Sequence, residues 1–234
     1  MRVQLISDLH DNFPLIQPYA EYVALLGDVT SPDNPKYEKY IEYLSSMFRG
    51  VFVVLGNHEY YGGIMKDVEN KMNDICNKFP NVYLLINKSI MIDGILFVGS
   101  TLWSDINEKA FDFLNCGKLI KMRRNKKMDI NDYLVLHYKA VEFIKQEVNK
   151  GLPTVILTHY APIDEMNGHK INSPYKSGFS SDLSYINNSN IIAWLSGHTH
   201  NCMTLRKNNI IYSSNCLGDE LNERFSTRQV IKLR

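Results

Sequence analysis

Val51-Phe-Val-Val-Leu-Gly-Asn-His-Glu59 joins a run of five apolar residues to a glycine, an amide, an imidazole and a carboxylate. A short continuous apolar run of this kind reads as a strand buried on both faces of a sheet. The polar residues that follow mark the loop where the strand gives way. The arrangement recurs along the chain: Val3–Ile6 precedes Asp8 and His10, Tyr22–Leu26 precedes Gly27-Asp28, Val155–Leu157 precedes His159, and Ile191–Leu195 precedes Gly197-His198-Thr199-His200. Leu96–Val98 is a further apolar run. Ligands of open α/β sheets gather beyond the carboxyl ends of strands, so this placement points to one shared site. It takes up five of the seven histidines.

Local geometry adds detail. If the strand continues through Asp8 and His10, their spacing of two puts both side chains on one side, and the same holds for His198 and His200. Gly27, Gly56 and Gly197 each precede a candidate ligand, where a tight turn or close backbone approach is needed. Helices are expected over Tyr37–Phe48, Ile64–Phe79 and Asn131–Lys150. In the last, Leu134, His137, Val141, Ile144 and Val148 form a helical stripe. Asp93-Gly94 and Asn208-Asn209 read as hairpin turns between strand-like runs. Early β-α alternation followed by hairpins suggests two packed sheets with helices outside. With no repeat, linker or boundary in view, residues 1–234 read as a single domain.

Composition narrows the function classes. With 234 residues, 44% apolar content and a formal charge of +1, the chain can build a sizeable core and has no global attraction for nucleic acid or anionic membrane. No apolar stretch approaches a membrane span. Met1 leads almost directly into a strand, leaving no room for a signal peptide, so a cytoplasmic location is expected. Cys76, Cys116, Cys202 and Cys216 lack Cys-x-x-Cys spacing, which speaks for reduced thiols and against a structural zinc site. Carboxylate, amide and imidazole together instead suit a pair of borderline divalent metals, manganese or iron.

The ordered set Asp-x-His, Gly-Asp, Gly-Asn-His-Glu, His and Gly-His-x-His, complete from residue 8 to 200, resembles the signature of the calcineurin-like metallophosphoesterase family. Gly99-Ser-Thr-Leu-Trp-Ser-Asp105 resembles a segment of its compact members. The resemblance implies an α/β fold, a four-layer α/β/β/α sandwich of two mixed β-sheets flanked by helices. It implies two divalent metal ions, manganese first, with iron, nickel or zinc as alternatives. Asp8, His10 and His200 would hold one metal and Asn57, His159 and His198 the other, with Asp28 bridging. A carboxylate suits the bridge because its two oxygens serve two cations, and a neutral Asn57 adds no negative charge near an incoming phosphate. The activity implied is hydrolysis of a phosphodiester by in-line attack of a hydroxide bridging the metals. His58 would contact the phosphate or act as general acid. Some relatives orient that histidine with an aspartate three residues after the bridge, where this chain has Ser31. Glu59 is given no role beyond its place in the sequence.

Other readings fit the same residues. The ligand set equally serves a phosphomonoesterase acting on a small phosphorylated metabolite. A metal-bearing scaffold on the same fold, as in the retromer subunit that resembles these enzymes, would not need His58. Purple acid phosphatase is disfavoured by Ser31 and by the presence of His10. A phosphoprotein phosphatase is disfavoured because Gly27-Asp28 continues as Val-Thr-Ser-Pro. The expected substrate is a small phosphoester, nucleotide-like in one reading, with nucleic acid less favoured. Lys118, Lys121, Arg123, Arg124, Lys126 and Lys127 form a basic run, read either as a solvated flank or as a surface that steers a phosphorylated substrate. Tyr60, Tyr61 and Tyr160 offer rings for stacking or for packing at the site mouth. Segment 162–182 reads as a surface loop or a lid. His137 reads as structural, and His169 sits in a polar stretch.

Overall fold

The computed structural model describes residues 1–219 and 221–233, with the side chains at 169 and 170 outside that description. His169 is therefore not placed. Among the described residues, thirteen strands and five α-helices follow in chain order: β1 (Arg2–Ile6), β2 (Tyr22–Leu26), α1 (Pro35–Met47), β3 (Gly50–Val54), α2 (Met65–Cys76), β4 (Val82–Leu84), β5 (Lys88–Ile92), β6 (Ile95–Ser100), α3 (Glu108–Phe113), α4 (Cys116–Leu119), β7 (Lys121–Arg123), β8 (Lys126–Lys127), α5 (Ile130–Val148), β9 (Thr154–Thr158), β10 (Ile191–Ser196), β11 (Met203–Lys207), β12 (Ile210–Ser214) and β13 (Val230–Lys232). Short 3₁₀ turns cover His58–Tyr60, Asp164–Asn172 and Lys176–Gly178.

The strands form two large mixed sheets, ordered β13-β1-β2-β3-β4 and β11-β12-β10-β9-β6-β5, with β7 and β8 in a separate hairpin. Within the first sheet β1 to β4 run parallel, and within the second β6, β9, β10 and β12 do. Alternation of side chains divides each strand between two cores. Val3, Leu5, Ala24, Leu26, Phe52 and Val54 face Phe97, Val155, Leu157, Ala193 and Leu195 between the sheets. Phe52 stacks on Phe97 across that gap at 4.2 Å. Val23, Leu25, Val51, Val53, Ile156 and Trp194 face outward into the larger core, where residues of α1, α2 and α5 cover them. Burial on both faces explains why these strands are continuous apolar runs. The result is the four-layer α/β/β/α sandwich.

Local signals account for the helix ends. The Asn34 side chain caps α1 by accepting from Lys36 N–H at 3.0 Å, with Pro35 at the first helical position. Asp129 and Asp132 form a reciprocal capping box at the start of α5. The helix α2 stops at Cys76, three residues before the expected end, because Pro80 disfavours helical backbone at Phe79. Asp93-Gly94 and Asn208-Asn209 have positive φ at both positions, as tight hairpin turns require. All four cysteines are free.

Candidate metal centre

Every parallel strand that leads to the site ends with its carboxyl end on the same side of the sandwich, so β1, β2, β3, β9 and β10 deliver their following residues to one place. Strand β1 ends at Ile6 and does not continue through Asp8 and His10. The expected in-strand alternation is therefore wrong. Asp8, His10, Asp28, His198 and His200 instead have φ of 55°, 44°, 54°, 65° and 53°. Left-handed backbone at non-glycine residues is strained and persists where the surroundings impose it. Here the backbone turns sharply at each strand end and throws these side chains inward. Gly56 is needed for a different reason: a Cβ there would overlap the Asp28 carboxylate and approach His159 Cε1 to 2.7 Å.

Three ligand-capable groups result, with donor atoms within 4.8 Å of one another: Asp8, His10 and His200; His10, Asp28 and His58; Asp28, His159 and His198. Asp28 is common to two of them. His10 Nε2 faces His200 Nε2 at 3.0 Å, and His200 Nε2 lies 3.5 Å from Asp8 Oδ1. On the other side, His159 Nε2 lies 3.3 Å from Asp28 Oδ2, 3.2 Å from Asn57 Oδ1 and 3.2 Å from His198 Nδ1. All seven expected ligands and His58 thus come together.

Hydrogen bonds to the opposite edge of each ring define which nitrogen faces the centre. A carbonyl only accepts, so His159 Nδ1 donates to Leu26 O at 2.7 Å and leaves Nε2 facing the centre. His198 Nε2 donates to Gly178 O at 3.0 Å and leaves Nδ1 inward. His10 Nδ1 and His200 Nδ1 both face the carboxylate of Asp219, at 3.5 and 3.9 Å. Asp8 accepts the His198 backbone N–H with both oxygens at 3.0 Å, which ties the two sheets together at the site.

Electrostatics fit a cation. Burial opposes charge on His159, yet Asp28 and then Asp8 outweigh it and push the imidazole up to about 9. Burial likewise opposes charge on Asp28, but His159, His58 and His10 hold its carboxyl well below the usual range. Two buried carboxylates thus draw positive charge toward a ring of inward lone pairs, the donor set a divalent metal requires.

Several residues were not assigned from the sequence. Glu59 is 1% exposed and accepts from Asp28 N–H (2.9 Å), Val29 N–H (2.8 Å), Gly56 N–H (2.8 Å) and Tyr37 OH (3.2 Å). It locks the Gly27–Val29 and Gly56–Glu59 loops to each other. Tyr61 accepts from Asn57 Nδ2 at 2.7 Å, which fixes the amide so that Oδ1 faces His159. Tyr61 also tilts against the His58 ring at 4.4 Å. Tyr60 and Tyr160 are buried in the core and offer no face for a ligand to stack on; Tyr160 packs on His198 at 3.9 Å. Trp103, from Gly99–Asp105, packs on Tyr60, Tyr133 and Tyr160 beneath the site. The carboxylate facing His58 is Asp28 itself, with Nε2 to Oδ2 at 3.8 Å. Segment 162–182 carries 3₁₀ turns within Asp164–Asn172 and Lys176–Gly178, and its Ile163, Met166 and Asn167 are fully buried, so it is a built rim of the site rather than a plain surface loop.

A family model described as calcineurin-like phosphoesterase matches residues 1–202. The chain belongs to the calcineurin-like phosphoesterase family. A protein of Acanthamoeba polyphaga mimivirus, named only as uncharacterised, is 35% identical over 218 residues, covering 84% of this chain and 78% of that protein. An uncharacterised metallophosphoesterase from Campylobacter jejuni is 30% identical over 105 residues, covering 42% of this chain and 27% of that protein. Among solved structures, the phosphopantetheinyl hydrolase of Mycobacterium tuberculosis superimposes with a TM-score of 0.73 at 14% identity, covering 92% of this chain and 89% of that one. That likeness is one of fold. Family membership and the His/Asp clusters together support a metal-dependent phosphoesterase, a hydrolase with a divalent metal site. Among the described residues, no helix is long and apolar enough to cross a membrane.

Proposed function

We propose that this chain hydrolyses a phosphodiester at a dinuclear centre, with manganese the preferred metal. Asp8, His10 and His200 hold one ion, Asn57, His159 and His198 the other, and Asp28 lies between. When bound, the metal pair supplies Lewis acidity and an acidified water for in-line attack on phosphorus. The observation that supports the assignment is Asp28, 1% exposed, whose carboxylate groups with His10 of the first set and with His159 and His198 of the second.

His58 is kept outside the ligand set although its ring lies near His10 and Asp28. Its side chain is 42% exposed, whereas those of Asp8, Asp28, His10, His159 and His200 range from 0 to 28%. An accessible imidazole, steadied by Tyr61 and with its own backbone N–H on Asp28 Oδ1 at 2.8 Å, is placed to meet the substrate. It donates to a phosphate oxygen or hands a proton to the departing oxygen. Asp28 orients it, so no separate carboxylate is required.

Room around the centre favours a diester over a monoester. A cavity of about 820 Å³ opens beside His200, lined by apolar Met203 and Leu221 and by polar Asn201, Asn222 and Arg224. Beyond Asn57 and Tyr61 the β7–β8 hairpin is docked on the Gly62–Gly63 segment. A diester carries two organic groups and a monoester one, so the room beside His200 supports the diester reading. Another cavity, of about 520 Å³ around Tyr22, Arg49 and Asp93, lies at the far end of the strands and touches none of these residues.

Parallel assays of p-nitrophenyl phosphate and bis-p-nitrophenyl phosphate with manganese test the reading. The diester should be turned over with the higher kcat/KM. A clear preference for the monoester would replace this reading with a phosphatase.

A further inference from the structure

The basic run at 118–127 is a shaped surface attached to the catalytic loop. The helix α4 and strand β7 dock on the segment that follows His58: Gly62 N–H donates to Leu119 O at 2.9 Å and Lys121 N–H to Gly63 O at 3.1 Å. Cys116, at the start of α4, lies 3.8 Å from the Tyr61 hydroxyl that holds Asn57. The hairpin is therefore anchored to the loop that carries His58.

Its charges are arranged in a way that costs stability. Lys121 pairs with Lys127 and Arg123 with Lys126 across the hairpin. Like charges directly opposite one another destabilise a strand pair. Only Lys126 is neutralised, by Asp129 at 3.3 Å and Asp132 at 2.6 Å. Lys118, Lys121, Arg123, Arg124 and Lys127 are exposed, and none makes a side-chain hydrogen bond or ion pair with any described residue. A chain with a formal charge of only +1 has concentrated four unpaired cations on one small hairpin, with Lys118 a fifth on the adjoining α4. Three residues of strand extend about 10 Å, long enough to meet more than one phosphate.

Resting on the phosphoesterase reading, we propose that the β7–β8 hairpin binds phosphates of the substrate beyond the scissile one, so that the substrate is a multiply phosphorylated anion. The guanidinium groups of Arg123 and Arg124 suit paired contacts with phosphate oxygens, and the lysines act as point charges beside them. The Lys121–Lys127 repulsion is relieved when such an anion is bound.

Fluorescence anisotropy of a labelled single-stranded oligonucleotide, with the full chain held in chelator so that nothing turns over, tests this surface. Each phosphate neutralised on a single strand contributes about −0.7 to the slope of log K against log salt. Engagement of all five cations gives a slope near −3.5, and an Arg123→Ser/Arg124→Ser/Lys127→Ser variant flattens it by about 2. Affinity that rises with oligonucleotide length identifies a strand as the source of the phosphates. Displacement of the oligonucleotide by inorganic tripolyphosphate at matched phosphate concentration identifies a small polyphosphate. Either result supports the proposal. No binding by the wild-type chain, an unchanged slope in the variant, or binding to phosphatidylserine vesicles in preference to both phosphate probes overturns it. Turnover of bis-p-nitrophenyl phosphate is measured on both proteins and scored apart. Its absence from both counts against the phosphoesterase reading and leaves the binding result standing.

Discussion

Replacing Glu59 by Gln changes one oxygen to an NH₂ and little else in shape. The two Glu59 oxygens serve four donors: Oε2 takes Asp28 N–H and Gly56 N–H, while Oε1 takes Val29 N–H and Tyr37 OH. Glutamine keeps one acceptor oxygen, so at least one buried backbone N–H loses its partner and meets another N–H head-on. The gentler orientation puts the NH₂ toward Val29 and Tyr37, because the Tyr37 hydroxyl can turn and accept. A hydrogen bond to a charged group contributes about 1.5–3 kcal/mol, and an unsatisfied buried donor costs about 1–3 kcal/mol. A loss on the order of 3 kcal/mol follows. For a chain of this size each kcal/mol shifts the melting temperature by roughly 2–4 °C, so Tm should fall by about 6–12 °C in differential scanning calorimetry of the metal-free protein. The Glu59 carboxyl is itself pushed up by burial and by the Asp28 charge. That cost is tolerated because three backbone N–H groups point at it. A Tm within about 2 °C of wild type would refute the view that Glu59 holds the two loops together.

Further outcomes test the site. Tyr61→Phe frees the Asn57 amide, and loss of such a supporting hydrogen bond should weaken manganese binding by about 10–100-fold in a chelator competition assay. His58→Gln should leave manganese stoichiometry unchanged while kcat for the diester falls about 100- to 10,000-fold. Burial lowers the His137 imidazole pKa, with the Leu102 carbonyl opposing. Below the unfolded value of about 6.5 the unfolded chain binds a proton that the folded chain resists. That contribution to stability is complete above this pH and is lost as pH falls toward the folded value. His137→Gln, which can still donate to Leu102 O, should therefore show a smaller drop in urea midpoint between about pH 7.5 and 5.5 than wild type.

The sandwich was legible in the sequence because its central strands are buried on both faces and so appear as unbroken apolar runs, as in Val51–Leu55. The convergence of the candidate ligands on one end of the sheets was legible because each follows such a run. What escaped had no periodic signature. Strands β7 and β8 are mostly Lys and Arg, and their charge reads as a solvated flank until the pairing of Lys121 with Lys127 is seen. Left-handed backbone at Asp8 and His10 depends on contacts with Gly27 and Asp28, which are distant in sequence: Asp8 N–H donates to Gly27 O and His10 N–H to Asp28 O, both at 3.0 Å. Glu59 looked like a neighbour of His58, whereas its partners are Asp28, Val29 and Tyr37. Asp219 stands behind His10 and His200 from an exposed loop that no motif marks.

Electron paramagnetic resonance of the manganese-loaded protein, with metal content measured on the same samples, addresses the dinuclear assignment most directly. Wild type should bind two ions per chain and show exchange coupling between them. Asp28→Asn, with one oxygen of the shared carboxylate replaced by an amide, should lose that coupling and at least one ion. A single uncoupled ion in the wild type, or an unchanged coupled pair in Asp28→Asn, would contradict it.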